Sequence, residues 1–185
     1  MQVKICGVTL IEDALVAVDA GADALGLIFY AGSPRGIDVE QAREIVRAVP
    51  PYTTVTALFV NPERPLVQRV LKALPISHLQ FHGNEPAEFC RGFERPYVKS
   101  IAVSTDDEMQ QVMREHSASR AFLFDTLVPG KHEGTGKTFD WSRIPSGIDQ
   151  PVILAGGLDA DNVTHAIAEV APYAVDVGSG IEEAP

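Results

Sequence analysis

Short apolar or β-branched runs alternate with segments of helical spacing along the whole chain. Val3–Cys6 is a short apolar run with one lysine, and Glu12–Ala20 has helical spacing and stops at Gly21. Ala24–Phe29 is nearly continuous in apolar residues, which marks a strand covered on both faces. Val39–Val49 predicts a helix ended by Pro50-Pro51, Thr54–Val60 a strand, and Glu63–Leu74 a helix ended by Pro75. His78–Phe81 predicts a strand, with a short helix from Pro86 to about Gly92. Tyr97–Val103 is the next strand, and Thr105-Asp106-Asp107-Glu108 opens a helix with a cap-like start. Ala121–Phe124 is followed by a long glycine-rich loop, then by the strand Val152–Ala155. Asp159 can cap a helix to Val170, and Ala174–Val177 is the last strand.

This reads as eight strands and seven helical segments in strict alternation. Such alternation implies parallel strands joined by crossover helices, and eight units favour a closed barrel over an open sheet. No linker, low-complexity tract or composition break divides the chain. The expected architecture is a single α/β domain over residues 1–185, a (β/α)8 TIM barrel. Such a barrel usually takes roughly 200 residues or more. The 185 residues end at Ile181-Glu182-Glu183-Ala184-Pro185, just past the eighth strand, so the eighth helix is expected to be absent.

With 45% hydrophobic and 22% charged residues, the chain can bury a full core and is not of disordered type. The 25 acidic and 15 basic residues leave a net charge of −10, which argues against nonspecific nucleic-acid or anionic-membrane binding. An anionic ligand therefore needs a site that attracts it locally. The N-terminus carries no secretory signal, and no apolar run approaches the ~18 residues of a membrane span. Cys6 and Cys90 make no disulfide framework, so a cytoplasmic setting is expected.

In a barrel of this kind, function sits at the carboxyl ends of the strands. Cys6-Gly7 follow the first run, Ser33-Pro34-Arg35-Gly36 the second, Asn61 the third and His82-Gly83 the fourth. Asp125 follows the sixth, Gly156-Gly157 the seventh and Gly178-Ser179-Gly180 the eighth. Singly, each residue has a plainer reading: a buried thiol, a turn aspartate, a solvated arginine, a histidine bonded to a carbonyl, glycines that only turn the chain. Their joint placement at strand ends points to an active site. Strand alternation puts Lys4 and Cys6 on one face of the first strand, His78, Gln80 and His82 on one face of the fourth, and Ala174, Asp176 and Gly178 on one face of the eighth. If the first and eighth strands are neighbours with these faces inward, Lys4 and Asp176 pair inside the barrel.

Loops after the seventh and eighth strands of barrels often hold a phosphate, because glycine lets backbone N–H groups approach the anion. Gly156, Gly157, Gly178, Ser179 and Gly180 are therefore the expected phosphate site. Oriented dipoles there can bind a dianion despite the overall charge. Gly136-Lys137-Thr138 resembles the end of a nucleotide-binding loop, but the glycine required five positions before Gly136 is Lys131. An ATPase is therefore not expected, and the long loop after Asp125 is read as a lid over the mouth. No cofactor signature and no metal-ligand spacing is present.

The opening Lys4-Ile5-Cys6-Gly7-Val8-Thr9 resembles the signature of the phosphoribosylanthranilate isomerase family, whose members act in tryptophan biosynthesis. Further matching blocks are Ser33-Pro34-Arg35, Leu79-Gln80-Phe81-His82-Gly83, Phe124-Asp125-Thr126, Gly134–Trp141, Leu154–Leu158 and Val175–Gly180. The resemblance implies an Amadori rearrangement of N-(5-phosphoribosyl)anthranilate to the 1-deoxyribulose 5-phosphate, without a cofactor. It also implies Asp125 as general acid, Cys6 as general base, Arg35 facing the anthranilate or its carboxylate, and His82 lining the pocket. Its partners would be that small-molecule substrate and, at most, a second copy of the chain, as monomer or homodimer.

Such roles make physical demands. A free thiol titrates near 8.5, so Cys6 needs help to ionise, and Lys4 on the same face is the expected source. Asp125 must hold a proton, which calls for burial or a neighbouring anion. Three departures from the family pattern stand out: Gly36 after Arg35, the loop Gly178-Ser179-Gly180 where two serines are more common, and the end of the chain, where family chains usually continue into a last helix. A related dual-substrate isomerase of histidine biosynthesis would need aspartates after the first and fifth strands, where this chain has Cys6 and Ile101-Ala102. A non-catalytic phosphate-ligand binder is the remaining alternative.

Overall fold

The chain is described by a computed structural model over residues 1–126 and 138–182. The apolar runs form eight parallel strands: β1 (Gln2–Cys6), β2 (Ala24–Ile28), β3 (Thr54–Phe59), β4 (His78–Phe81), β5 (Tyr97–Ala102), β6 (Ala121–Asp125), β7 (Val152–Leu154) and β8 (Ala174–Val177). They pair in sequence order and close into a barrel. Closure is made by β1 against β8, in a register that sets Lys4 opposite Asp176. The amphipathic segments form α1 (Ile11–Asp19), α2 (Val39–Ala48), α3 (Arg64–Ala73), α4 (Ala87–Arg91), α5 (Asp106–Glu115) and α6 (Val163–Val170).

Local chemistry explains the helix ends. Asp38 accepts from the Gln41 N–H at 2.9 Å and starts α2. Thr105 and Glu108 make the reciprocal capping box expected at α5. Gly21, at φ +97°, takes the left-handed turn after α1. Two expectations need correction. The count of seven helical segments is one too many: between β6 and β7, where the sequence reads as a glycine-rich loop, the described residues hold only a 3-10 turn, Trp141–Arg143. Asp159 does not cap α6 directly. Its Oδ1 accepts from the N–H groups of Asp161 and Asn162, both at 2.9 Å, forming a turn that delays the helix to Val163.

Two kinds of core follow from the barrel. Between strands and helices, Leu25, Leu27, Phe59, Leu79, Phe81 and Tyr97 pack against α1 to α4, and Phe122, Phe124 and Met109 form a second cluster. Alternate strand residues form two smaller clusters: Val98, Ala121, Leu123 and Ala155 in one, Ile28, Leu58 and Val60 in the other. Lys4, Gln80, Ser100 and Asp176 are buried polar breaks in otherwise apolar strands.

A further buried pair braces one side of the barrel. Lys99 of β5 donates to Glu85 Oε2 at 2.8 Å and to the Gly83 carbonyl at 2.5 Å. Glu85 in turn accepts from the N–H groups of Asn61 (2.8 Å) and Gly83 (3.1 Å). The loops after β3 and β4 are thus tied to β5, and Asn61 acts as a brace rather than a pocket residue.

No α-helix follows β8 among the described residues; Ser179–Ile181 form a 3-10 turn. Beside β1 and α1, an apolar groove of about 650 Å³ is lined by Val3, Ile5, Val8, Val16 and Ala17 and reaches Gly178 and Ile181. Val16 is 68% exposed there.

His116, at the end of α5, is buried beside Tyr97, whose hydroxyl lies 3.4 Å from Nδ1. Burial pushes its imidazole down to about 4, and the Lys99 charge adds to this, while Glu115 and Glu85 oppose it. The native state therefore refuses a proton that the unfolded chain accepts near 6.5. Stability is full above pH 6.5 and is lost as pH falls from about 6.5 to about 4, by roughly 3 kcal/mol. Urea unfolding at stepped pH should show this slope in the wild type and a clearly flatter one in His116→Phe.

Candidate active site

The carboxyl ends of the strands meet at one mouth. The cavity there is about 60 Å³ and is lined by Cys6, Arg35, Gln80, His82, Asp125, Gly156, Gly157, Asp176, Gly178 and Ser179, with Ile28, Leu58, Ala155 and Leu158 as apolar lining. Small-molecule sites usually take roughly 300–1,000 Å³, so a bound ligand must extend into the open mouth. Of the residues predicted for the site, all line this cavity except Gly180. Residues 127–137, most of the loop read as a lid, lie outside the described residues.

The predicted pair inside the barrel is present. Lys4 Nζ lies 2.8 and 2.9 Å from the two carboxylate oxygens of Asp176. Burial works against the Lys4 charge, but Asp176 and Cys6 outweigh it and hold the ammonium above its ordinary range. The consequence for Cys6 is a correction. Burial pushes its thiol up to about 11; Lys4 pulls it down, and Asp176 pushes it up again. Lys4 does assist the thiolate, as expected, but its charge is largely neutralised by Asp176 and the desolvation of Cys6 wins.

Asp125 ends β6 with one oxygen on the Thr126 N–H (2.7 Å) and the other 3.2 Å from His82 Nε2. Both side chains are mostly buried. Of the two alternatives expected for Asp125, burial is present, and its partners are a backbone donor and an imidazole. His82 is itself held from behind, with Nδ1 2.8 Å from Ser100 Oγ and 3.3 Å from Gln80 Nε2.

Arg35 lies across the ends of β1 and β8. A Cβ built on Gly7 would come within 2.7 Å of its Cδ, and one on Gly178 within 2.5 Å of its Nη1. Its Nη1 meets Glu182 Oε1 at 3.4 Å. The guanidinium is thus a mouth residue with a carboxylate partner, not a solvated loop charge.

The glycine loops differ in what they do. Gly156 and Gly157 have φ of +81° and +65°, a left-handed turn that side chains rarely allow. A Cβ on Gly156 would also lie 2.9 Å from Asp125 Oδ1, so this loop runs directly beside the carboxylate. Asn162 fixes the turn by donating from Nδ2 to the Gly157 carbonyl at 2.8 Å. Gly180 is not among the residues that line the cavity. A Cβ there would sit 1.9 Å from the Leu158 carbonyl oxygen, so this glycine lets the loop after β8 press against the loop after β7.

Sequence reasoning missed Ser100, Lys99 and Glu85. A signal for two of them exists: Lys99-Ser100 put adjacent polar residues on both faces of an otherwise apolar strand. Glu85 carries no comparable signal, since its burial arises only when its loop folds over Lys99.

Among the described residues no group of three or more His, Cys, Asp or Glu could hold a metal, and no helix is long and apolar enough to cross a membrane. Residues 3–184 match the family model described as N-(5'phosphoribosyl)anthranilate (PRA) isomerase. An N-(5'-phosphoribosyl)anthranilate isomerase of Pseudomonas putida is 51% identical over 181 residues, covering 98% of this chain and 88% of that protein. The crystal structure of phosphoribosyl anthranilate isomerase from Thermotoga maritima superposes with a TM-score of 0.91 at 40% identity, over 100% of this chain and 91% of the other. A crystal structure of a phosphoribosyl anthranilate isomerase in complex with reduced 1-(o-carboxyphenylamino)-1-deoxyribulose 5-phosphate gives a TM-score of 0.84 at 36% identity, over 100% of this chain and 90% of the other.

Proposed function

The chain belongs to the N-(5'-phosphoribosyl)anthranilate isomerase family and catalyses that isomerisation in tryptophan biosynthesis; from this premise we propose that Asp125 is its general acid and Cys6 its general base. The observation that carries the assignment is that both line one cavity at the barrel mouth, beside the glycine loops after β7 and β8. The substrate is a phosphoribosyl anthranilate with an anionic group at each end, and the reaction is an Amadori rearrangement.

Asp125 gives its proton to the ribose ring oxygen as the C1–O bond breaks, and the nitrogen lone pair forms the iminium. Cys6 then takes the proton from C2, and those electrons neutralise the iminium to an enolamine. A proton delivered to C1 and one lost from the C2 hydroxyl leave the 2-ketone. A thiol held near 11 is a weak acid but, once ionised, a strong base. The positive iminium formed beside it is the charge that favours the thiolate at the step that needs it. His82, against the Asp125 carboxylate, stabilises the anion left after proton transfer.

Arg35 is proposed to receive the anthranilate carboxylate, exchanging Glu182 for it. Gly156, Gly157, Gly178 and Ser179 are proposed to hold the phosphate, with Gly180 shaping their loops. The proposed setting is cytoplasmic, consistent with a biosynthetic reaction and with Cys6 and Cys90 as free thiols; the proposed assembly is a monomer or homodimer. Loss of anthranilate-substrate fluorescence on adding the protein tests the activity, and absence of that loss would leave only a phosphate-ligand binder.

The cradle has its own test. In Gly180→Ala the new methyl must displace the Leu158 backbone, because no flexible side chain can yield. Competition by inorganic phosphate should weaken by about ten-fold, the scale of one lost charge-assisted hydrogen bond. A phosphate inhibition constant equal to that of the wild type would show that the two loops do not act as a unit.

A further inference from the structure

We infer that Ser100, together with Gln80, is a positioning residue for the acid step: it holds His82 in the tautomer that supports the Asp125 carboxylate after its proton has left. The inference rests on Asp125 being the general acid. Its warrant is a continuous chain of contacts from β5 through β4 to β6. Ser100 Oγ is 2.8 Å from His82 Nδ1, and His82 Nε2 is 3.2 Å from Asp125 Oδ2. Gln80 Nε2 closes on the same Nδ1 at 3.3 Å.

The two ends of this chain agree on one proton arrangement. An amide nitrogen only donates, so the Nδ1 facing Gln80 is bare and accepts. The Ser100 hydroxyl then also donates to Nδ1. The ring proton is left on Nε2, where it points at a carboxylate that only accepts. Ser100 and Gln80 are both buried, 8% and 1% exposed, so neither exchanges this contact freely for water. The arrangement fits Asp125 as the conjugate base and fits a protonated Asp125 less well. The network is therefore matched to the state reached when the ribose ring opens, which is where binding accelerates a reaction.

Without the Ser100 hydroxyl, Nδ1 keeps only the longer Gln80 contact. The ring gains freedom to carry its proton on Nδ1 and to turn its bare nitrogen to Asp125, which removes the support. Ser100 touches no reacting atom in this account and acts through His82.

The test is nitrogen-15 NMR of histidine side chains together with steady-state kinetics, on the wild-type protein, Ser100→Ala and Ser100→Thr. Ser100→Ala removes one oxygen from a tightly packed strand, and the resonances report the His82 tautomer whether or not turnover is measured. The wild type should show His82 neutral with the proton on Nε2. Ser100→Ala should lose that single signature, and kcat should fall about five- to ten-fold with KM little changed, the scale of one hydrogen bond. Ser100→Thr, which keeps the hydroxyl, should restore both. An Ser100→Ala protein with the wild-type tautomer and kcat overturns the inference, as does a fall in kcat that threonine does not rescue despite a restored tautomer. Asp125→Asn separates the two levels. If it retains wild-type turnover, the acid assignment fails and this inference fails with it. If it is inactive while Ser100→Ala is normal, only the inference fails.

Discussion

Cys6→Ser and Asp125→Asn should each lower kcat by about 10²- to 10⁴-fold, the usual range for a lost acid or base. Folding and phosphate competition should remain close to wild type. The expectation follows from what each atom must do. A serine hydroxyl is a far weaker acid than a thiol even when the thiol is held near 11, so it supplies almost no base. An asparagine amide has no proton to give to the ring oxygen, although it can still accept from the Thr126 N–H. The measurement is single-turnover loss of substrate fluorescence, which separates chemistry from release. Wild-type rates in either variant would remove that residue from the mechanism, and wild-type rates in both would remove the proposed site.

The second large effect concerns the buried pair behind the thiol. Asp176→Asn leaves the Lys4 ammonium buried without a counter-charge, and Lys4→Met leaves the Asp176 carboxylate in the same position. Each should destabilise the fold by about 3–5 kcal/mol, whereas the double variant Lys4→Met/Asp176→Leu should lose markedly less than the sum. Urea midpoints around this cycle measure the coupling. The two single variants should then part company at Cys6. Removing Asp176 takes away a charge that raises the thiol, so alkylation at about pH 8 should be faster than in the wild type. Removing Lys4 takes away a charge that lowers it, so alkylation should be slower. Peptide mapping separates Cys6 from Cys90, which is fully buried and pushed up to about 12. Equal Cys6 rates in the two variants would mean that the pair holds the barrel together without tuning the thiol.

Most of the fold was legible before any coordinate, because strands buried on both faces must be short, apolar and separated by helices with one apolar stripe. The eight strands fall within a residue or two of their expected limits. The pairing of Lys4 with Asp176 was also legible, since a two-residue period puts each on a defined face and closure of the barrel makes their strands neighbours. What failed locally failed for local reasons. The count of helices ran one over at the loop after β6, where Trp141–Arg143 make a single 3-10 turn, and Asp159 satisfies two nearby N–H groups before a helix can start.

By itself, then, the sequence determined the alternation of elements, the barrel, and the gathering of Cys6, Arg35, His82, Asp125 and the glycine loops at one mouth. These depend on period and order, which are properties of the chain read in one dimension. Only the tertiary structure decided how those groups are charged and aimed. The charge state of Cys6 depends on how far its burial outweighs a lysine shared with a partner 172 positions away. The orientation of His82 depends on Ser100, 18 positions on, and the brace on its loop depends on Glu85 meeting Lys99. Desolvation and ion pairing are set by distances of a few ångströms between residues distant in sequence, and those distances exist only once the barrel has closed.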